Sequence, residues 1–117
     1  MPNTRPTSPH LGIYRWRVNM LQSTLHRLTG IFLCLGALLV AWGLIAAASS
    51  GAAWNIFATF CGSLIGMILL LGWTWALFYH LCNGIRHLIQ DAGFGYEIPQ
   101  FVRSSWLSVA GSIVLTV

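Results

Sequence analysis

Between Leu28 and Ala48 the chain carries no charged residue, over about the twenty positions that cross a hydrocarbon core of roughly 30 Å. A second uncharged run, Trp54 to Ile85, is longer than one crossing needs, so its helix is expected to tilt or project. Lipid offers no partner to an open backbone, so runs of this kind cross it as helices. Composition agrees: 56% of the 117 residues are hydrophobic and 7% charged, against about 25% charged in soluble domains. A soluble globular domain is excluded, and so is a nucleic-acid binder, which needs basic residues spread over a polar surface.

A third apolar run, Trp106 to Val117, is short of the roughly 17 residues a crossing requires. Phe101, Val102 and Ser104 extend it if Arg103 snorkels to the headgroups. The expected fold is therefore an all-α integral membrane protein with three transmembrane helices in a single domain, 1–117. Residues 1–24 form an N-terminal segment, and about 25–48, 56–89 and 101–117 form the helices. Ser49 to Gly51 makes the first turn, and Asp91 to Pro99, with Gly93 and Gly95, breaks helix as an interfacial loop.

The net charge of +4 comes from arginines alone, with no lysine. Arg5, Arg15, Arg17 and Arg27 precede the first span, and Arg86 and Arg103 flank the second loop. The positive-inside rule places that end in the cytoplasm, with the Ser49 turn and the C-terminus outside. The first residues lack the apolar core of a signal peptide, and an Arg-Pro pair so near Met1 leaves no room for a transit peptide, which points to a bacterial inner membrane. Cys34, Cys61 and Cys82 lie in apolar runs and are expected to be buried free thiols, neither a disulfide framework nor a zinc site.

Ser23, His26, Arg27 and Gly30 fall at i, i+3, i+4 and i+7, one face of the first helix at the cytoplasmic boundary. They present a hydroxyl and a guanidinium to a polar ligand, or they are a helix cap and a snorkelling cation. His80 lies six residues inside Arg86, about 9 Å deeper, and His87 shares its face about 10 Å nearer the surface. Gly84, Trp73, Gly66 and Gly62 follow roughly that face, and the Gly62/Gly66 pair has the spacing of a close interhelical contact. A neutral imidazole in a low-dielectric bundle, beside a glycine leaving room for a flat macrocycle, suits axial ligation of haem iron. His80 and His87 cannot bracket one iron from one side of one helix, and His26 is expected at the depth of His87, which makes an internal pair with His80 awkward. The second ligand is then expected from another chain. The alternative is a packing histidine satisfied by a hydroxyl or carbonyl of a neighbouring helix.

Two stretches carry more than membrane physics. One is Arg5-Pro6-Thr7-Ser8-Pro9-His10-Leu11 followed by Ser23-Thr24-Leu25-His26-Arg27-Leu28-Thr29-Gly30; the other is His80-Leu81-Cys82-Asn83-Gly84-Ile85-Arg86-His87-Leu88-Ile89-Gln90-Asp91-Ala92-Gly93. Together they resemble the cytochrome b membrane-anchor subunits of succinate dehydrogenase, across most of the chain, with a departure at Gln90, where the family usually has an aromatic residue or Met. The resemblance implies that His80 is an axial ligand of haem b shared with a second small membrane subunit. It also implies that His87, His26 and Arg27 lie near the haem propionates, and that Ser23 and Arg27 line a ubiquinone site beside the iron–sulfur subunit. Succinate oxidation falls to a flavoprotein partner, since the chain holds no flavin fingerprint or iron–sulfur cysteine motif, and alone it is not an enzyme. The rival readings are the anchor of a fumarate reductase or another quinone-linked dehydrogenase, a haem-free structural anchor and, least favoured, a proton channel.

Overall fold

A computed structural model describes residues 5–117; Met1 to Thr4 of the N-terminal segment lie outside the described residues. After a single 3-10 turn, Leu11–Ile13, come four helices: α1 Val18–Ser49, α2 Gly51–Gly62, α3 Leu64–Asp91 and α4 Ile98–Thr116. Two of them, α1 and α3, are long and apolar enough to cross a membrane; at 1.5 Å per residue they measure about 48 and 42 Å. The side chains are arranged for lipid. Leu35, Leu38, Leu44 and Ile45 of α1 point outward, whereas the fully buried positions include Tyr79, Asn83, Ser105 and Ser112.

α1 starts seven residues earlier than the sequence suggests. Its N-cap is Arg17, which makes no side-chain capping bond, and Ser23 sits inside the helix. The reading of Ser23 as a helix cap is thereby removed.

The helix expected to be continuous over 56–89 is broken at Ser63. Two serines restart the chain: the Ser50 hydroxyl accepts from the Ala53 N–H at 3.2 Å at the head of α2, and the Ser63 hydroxyl accepts from the Gly66 N–H at 3.1 Å at the head of α3. Each satisfies one of the orphan donors of a first turn. A Cβ on Gly66 would run into the carbonyl of Phe60 and the backbone of Cys61. The glycine therefore permits the close return of α3 upon the end of α2. The Gly62/Gly66 pair is not an interhelical seam of the expected kind, since a Cβ at Gly62 would meet nothing.

Where α1 and α3 do close tightly, the residue responsible is Gly36, onto which the Trp73 indole packs in the space a side chain would take. Leucine at position 36 must displace that indole, and overpacking of this kind costs about 1–3 kcal/mol. Gly36→Leu is expected to lower the unfolding temperature of the detergent-solubilised protein, read by thermal denaturation, while retaining helix content.

α4 lies against α3 with its short hydroxyl side chains inward. Ser105, Ser108 and Ser112 are buried, facing a stripe on α3 made of Tyr79, Asn83, Arg86 and Gln90. Small residues bring backbones close in lipid, where no hydrophobic force distinguishes a neighbouring helix from acyl chains. The turn before α4 is shorter than the expected Asp91 to Pro99 loop, since Asp91 still belongs to α3 and α4 begins at Ile98: Gly93 and Gly95 make the turn with positive φ values of 91° and 78°, and Pro99, expected to break helix, occupies the first turn of α4, where its missing N–H costs no helix bond. The cysteines are free, as expected, but Cys34 is exposed on the outer surface and Cys61 and Cys82 are half-buried.

Candidate functional site

α1 and α3 bring three imidazoles together. The ring of His26 stacks on that of His80, with centroids 3.9 Å apart and planes 10° from parallel, and lies 5.2 Å from the ring of His87 at a tilt of 56°. The expectation that His26 shares only the depth of His87 is corrected by this geometry. The side chain reaches both histidines of α3, because a helical side chain covers the turn N-terminal to its own Cα and α1 runs against α3.

His80 is held at one ring nitrogen. Its Nδ1 lies 3.1 Å from the His26 carbonyl oxygen and 3.3 Å from the Thr29 hydroxyl, which itself donates to the Leu25 carbonyl at 2.8 Å. A proton on Nδ1 donated to that carbonyl leaves Nε2 as a lone-pair donor, the form in which histidine binds metals. Among the described residues nothing hydrogen-bonds Nε2. The same bonds are those a packing histidine would make; a free Nε2 is what a ligand needs in addition.

Beside His80 an open groove of about 790 Å³ runs along α1, lined by Arg27, Gly30, Ile31, Leu33, Cys34 and Leu35. Gly30 forms its floor. A Cβ there would stand 3.1 Å from His80 Cε1, so a side chain at this position would press on the imidazole and fill the cradle. The sequence singled out Gly84 as the glycine making room; in the structure Gly84 faces His26, with a Cβ position 3.9 Å from its ring. Residues present here fit a flat macrocycle with an axial histidine: an oriented imidazole, an apolar wall, and a guanidinium at one edge. His87 is placed by Asn83, whose Nδ2 lies 3.4 Å from His87 Nε2.

Ser23 and Arg27 meet in a second cavity, of about 400 Å³, between the start of α1 and the segment that precedes it; Leu11, Tyr14 and Trp16 line it from that segment, and Asn19, Met20 and Thr24 from α1. Arg27 thus borders both spaces. The pairing of Ser23 with Arg27 was legible from their spacing. The aromatic wall was not, because Tyr14 and Trp16 reach the site through an irregular segment whose path no periodicity encodes.

Sequence reasoning also passed over the polar stripe Tyr79, Asn83, Arg86 and Gln90. Its spacing of four, three and four residues was a readable signal of a second buried face on α3. Arg86 is only 6% exposed; its Nε donates to the Ser104 hydroxyl at 3.0 Å, its Nη1 to Asn83 Oδ1 at 3.3 Å, and its guanidinium carbon lies 4.2 Å from the Phe101 ring centre. Gln22 of α1 closes the cluster, donating to the Ser105 carbonyl.

The family described as succinate dehydrogenase/fumarate reductase transmembrane subunit matches residues 1–117. The succinate dehydrogenase cytochrome b556 subunit of Paracoccus denitrificans is 45% identical over 97% of this chain and 87% of its own length. That of Rickettsia felis is 42% identical over 97% and 89%. The mitochondrial succinate dehydrogenase cytochrome b560 subunit of Sus scrofa is 41% identical over 87% of this chain and 62% of its own length.

Proposed function

The chain belongs to the succinate dehydrogenase/fumarate reductase transmembrane subunit family, and from that premise we propose that it is the membrane anchor of a succinate dehydrogenase, holding haem b and forming part of the site where ubiquinone is reduced. It is non-catalytic alone: succinate oxidation lies with the flavoprotein, and an iron–sulfur subunit delivers electrons to the membrane.

The observation that carries the haem assignment is His80, tied at Nδ1 with Nε2 free beside the groove over Gly30. His80 would hold the haem iron from this chain, and a second small membrane subunit, whose helices complete the bundle with α1, α3 and α4 as three spans, would supply the other ligand. Bound there, haem would supply one-electron transfer between the iron–sulfur centres and quinone. Arg27 at the rim of the groove, together with His26 and His87, provides donors for the propionates, which need cationic or N–H partners where they leave the lipid.

Quinone reduction consumes two electrons and two protons, so its site needs donors at the carbonyl oxygens and access to water. In the cavity at the head of α1 the Ser23 hydroxyl donates to one carbonyl oxygen, and the Arg27 guanidinium stabilises negative charge developing there. Tyr14 and Trp16 offer flat faces to the ring. The decisive experiment is purification of the complex from membranes in mild detergent. Co-elution of a flavoprotein and an iron–sulfur protein with a low-spin haem b absorption spectrum is expected; co-elution without haem would establish the haem-free anchor instead.

The orientation follows from the arginines. The N-terminus and the Asp91 to Pro99 turn face the cytoplasm of a bacterium, and the Ser49 to Gly51 turn faces the periplasm. A reporter active only outside the cytoplasm, fused at Ser50, is expected to be active, and one fused near Gly95 silent. The reverse pattern would invert the topology and misplace the quinone cavity.

A further inference from the structure

Arg86 is a cation whose described partners are all neutral: a serine hydroxyl, an asparagine oxygen and a phenyl face. Its Nη2 is buried without a hydrogen-bond partner, and so is Nε2 of Gln90, one helical turn along α3. The carboxylates of the described chain, Asp91 and Glu97, are exposed and neither is bonded to it. An unpaired charge and an unpaired amide N–H, covered from bulk water, each raise the free energy of the membrane-embedded chain unless an acceptor meets them.

Both residues border one cavity of about 320 Å³ between α3 and α4, beside the Gly93 to Gly95 turn. Buried Ser108 and half-buried Ser104 line it as well, and Ile89, Phe94 and Leu107, all largely exposed, form its mouth. Polar donors thus lie at the inner wall of a space whose outlet is hydrocarbon. A carboxylate reaching in from a protein partner would call for a polar rim, whereas an amphiphile with an anionic head and an apolar body matches this distribution.

We propose that the α3–α4 cleft is a binding site for an anionic phospholipid, whose phosphate is held by Arg86 and Gln90 and whose acyl chains leave past Ile89 and Leu107. The site does not touch the haem groove or the quinone cavity, and it stands whichever role those two have. Bound lipid supplies the missing anion for Arg86 and ties α4 to α3 near the headgroup level, where arginine–phosphate pairing is strong.

The test uses the whole complex, delipidated by washing in mild detergent and examined by native mass spectrometry after addition of dioleoyl-phosphatidylglycerol, dioleoyl-phosphatidylcholine or sodium phosphate. Retention of phosphatidylglycerol in preference to phosphatidylcholine is expected, with about a tenfold or greater loss of retention in Arg86→Gln and partial retention in Arg86→Lys. Ile89→Trp, which fills the mouth without altering charge, is expected to lose the lipid at unchanged haem content, and it decides the matter alone if Arg86→Gln fails to assemble. Equal retention of both lipids, undiminished binding by Ile89→Trp, competition by inorganic phosphate at equal strength, or a zero-length cross-link from the cleft to a carboxylate of a co-purifying subunit would overturn the proposal.

Discussion

Replacing His80 with leucine is expected to abolish the low-spin haem b spectrum of the assembled complex, and tyrosine at the same position is expected to convert it to a high-spin form. Nδ1 is fixed by the His26 carbonyl and the Thr29 hydroxyl, which leaves Nε2 as the atom that would bind iron in the proposed site, and leucine offers none. A ligand from the proposed second subunit would still retain some haem, which makes occupancy a weaker readout than spin state. Thr29→Val removes one of the two groups around Nδ1 and leaves the carbonyl, so it is expected to shift the absorption or the midpoint potential only slightly. An unchanged low-spin spectrum in His80→Leu would remove His80 from the iron and return it to a packing role.

The second large effect belongs to Arg27. Loss of a hydrogen bond involving a charged group costs roughly 1.5–3 kcal/mol, or about one to two decades in affinity. Arg27→Leu should therefore depress succinate-to-quinone turnover by about ten- to a hundredfold while succinate oxidation by an artificial acceptor continues. Ser23→Ala removes one neutral donor and is expected to act in the same direction by less. Because Arg27 borders the groove of His80 as well as the cavity proposed for quinone, the haem spectrum of the Arg27 variant must be recorded in the same preparation. Wild-type quinone kinetics in both variants would leave Arg27 as an interfacial cation and Ser23 as a polar helix residue. A fall in both activities together would report failed assembly.

The aromatic wall of that cavity and the partnering of His80 mark where sequence reasoning reached its limit. Ser23 and Arg27 stand one turn apart on a helix, so their proximity follows from 3.6 residues per turn. Tyr14 and Trp16 precede the helix in irregular backbone, and their arrival beside Asn19 depends on dihedral angles that no repeat encodes. The depth assigned to His26 erred for a related reason: counting residues from a boundary locates a Cα along the membrane normal, but the position of a ring depends on the side chain's lean and on the offset of two helices.

Local quantities were decided by the chain itself. Uncharged runs of sufficient length must be helical in lipid, because every backbone donor and acceptor has to be satisfied within the segment. The two apolar stretches therefore located the bodies of α1 and α3, though neither the early start of α1 nor the break at Ser63, and Gly93 and Gly95 located the turn before α4. The motif around His26 and His80 placed the chain in its family without any coordinates. Relations between helices were decided only by the tertiary structure. The break at Ser63 rests on Gly66 admitting the backbone of Phe60 and Cys61, and α3 presents His80 to α1 and the Asn83–Arg86–Gln90 stripe to α4. Rotation about a helix axis changes neither its length nor its hydropathy; it is set by which small residues let which neighbour approach, a property of pairs of helices rather than of any one segment.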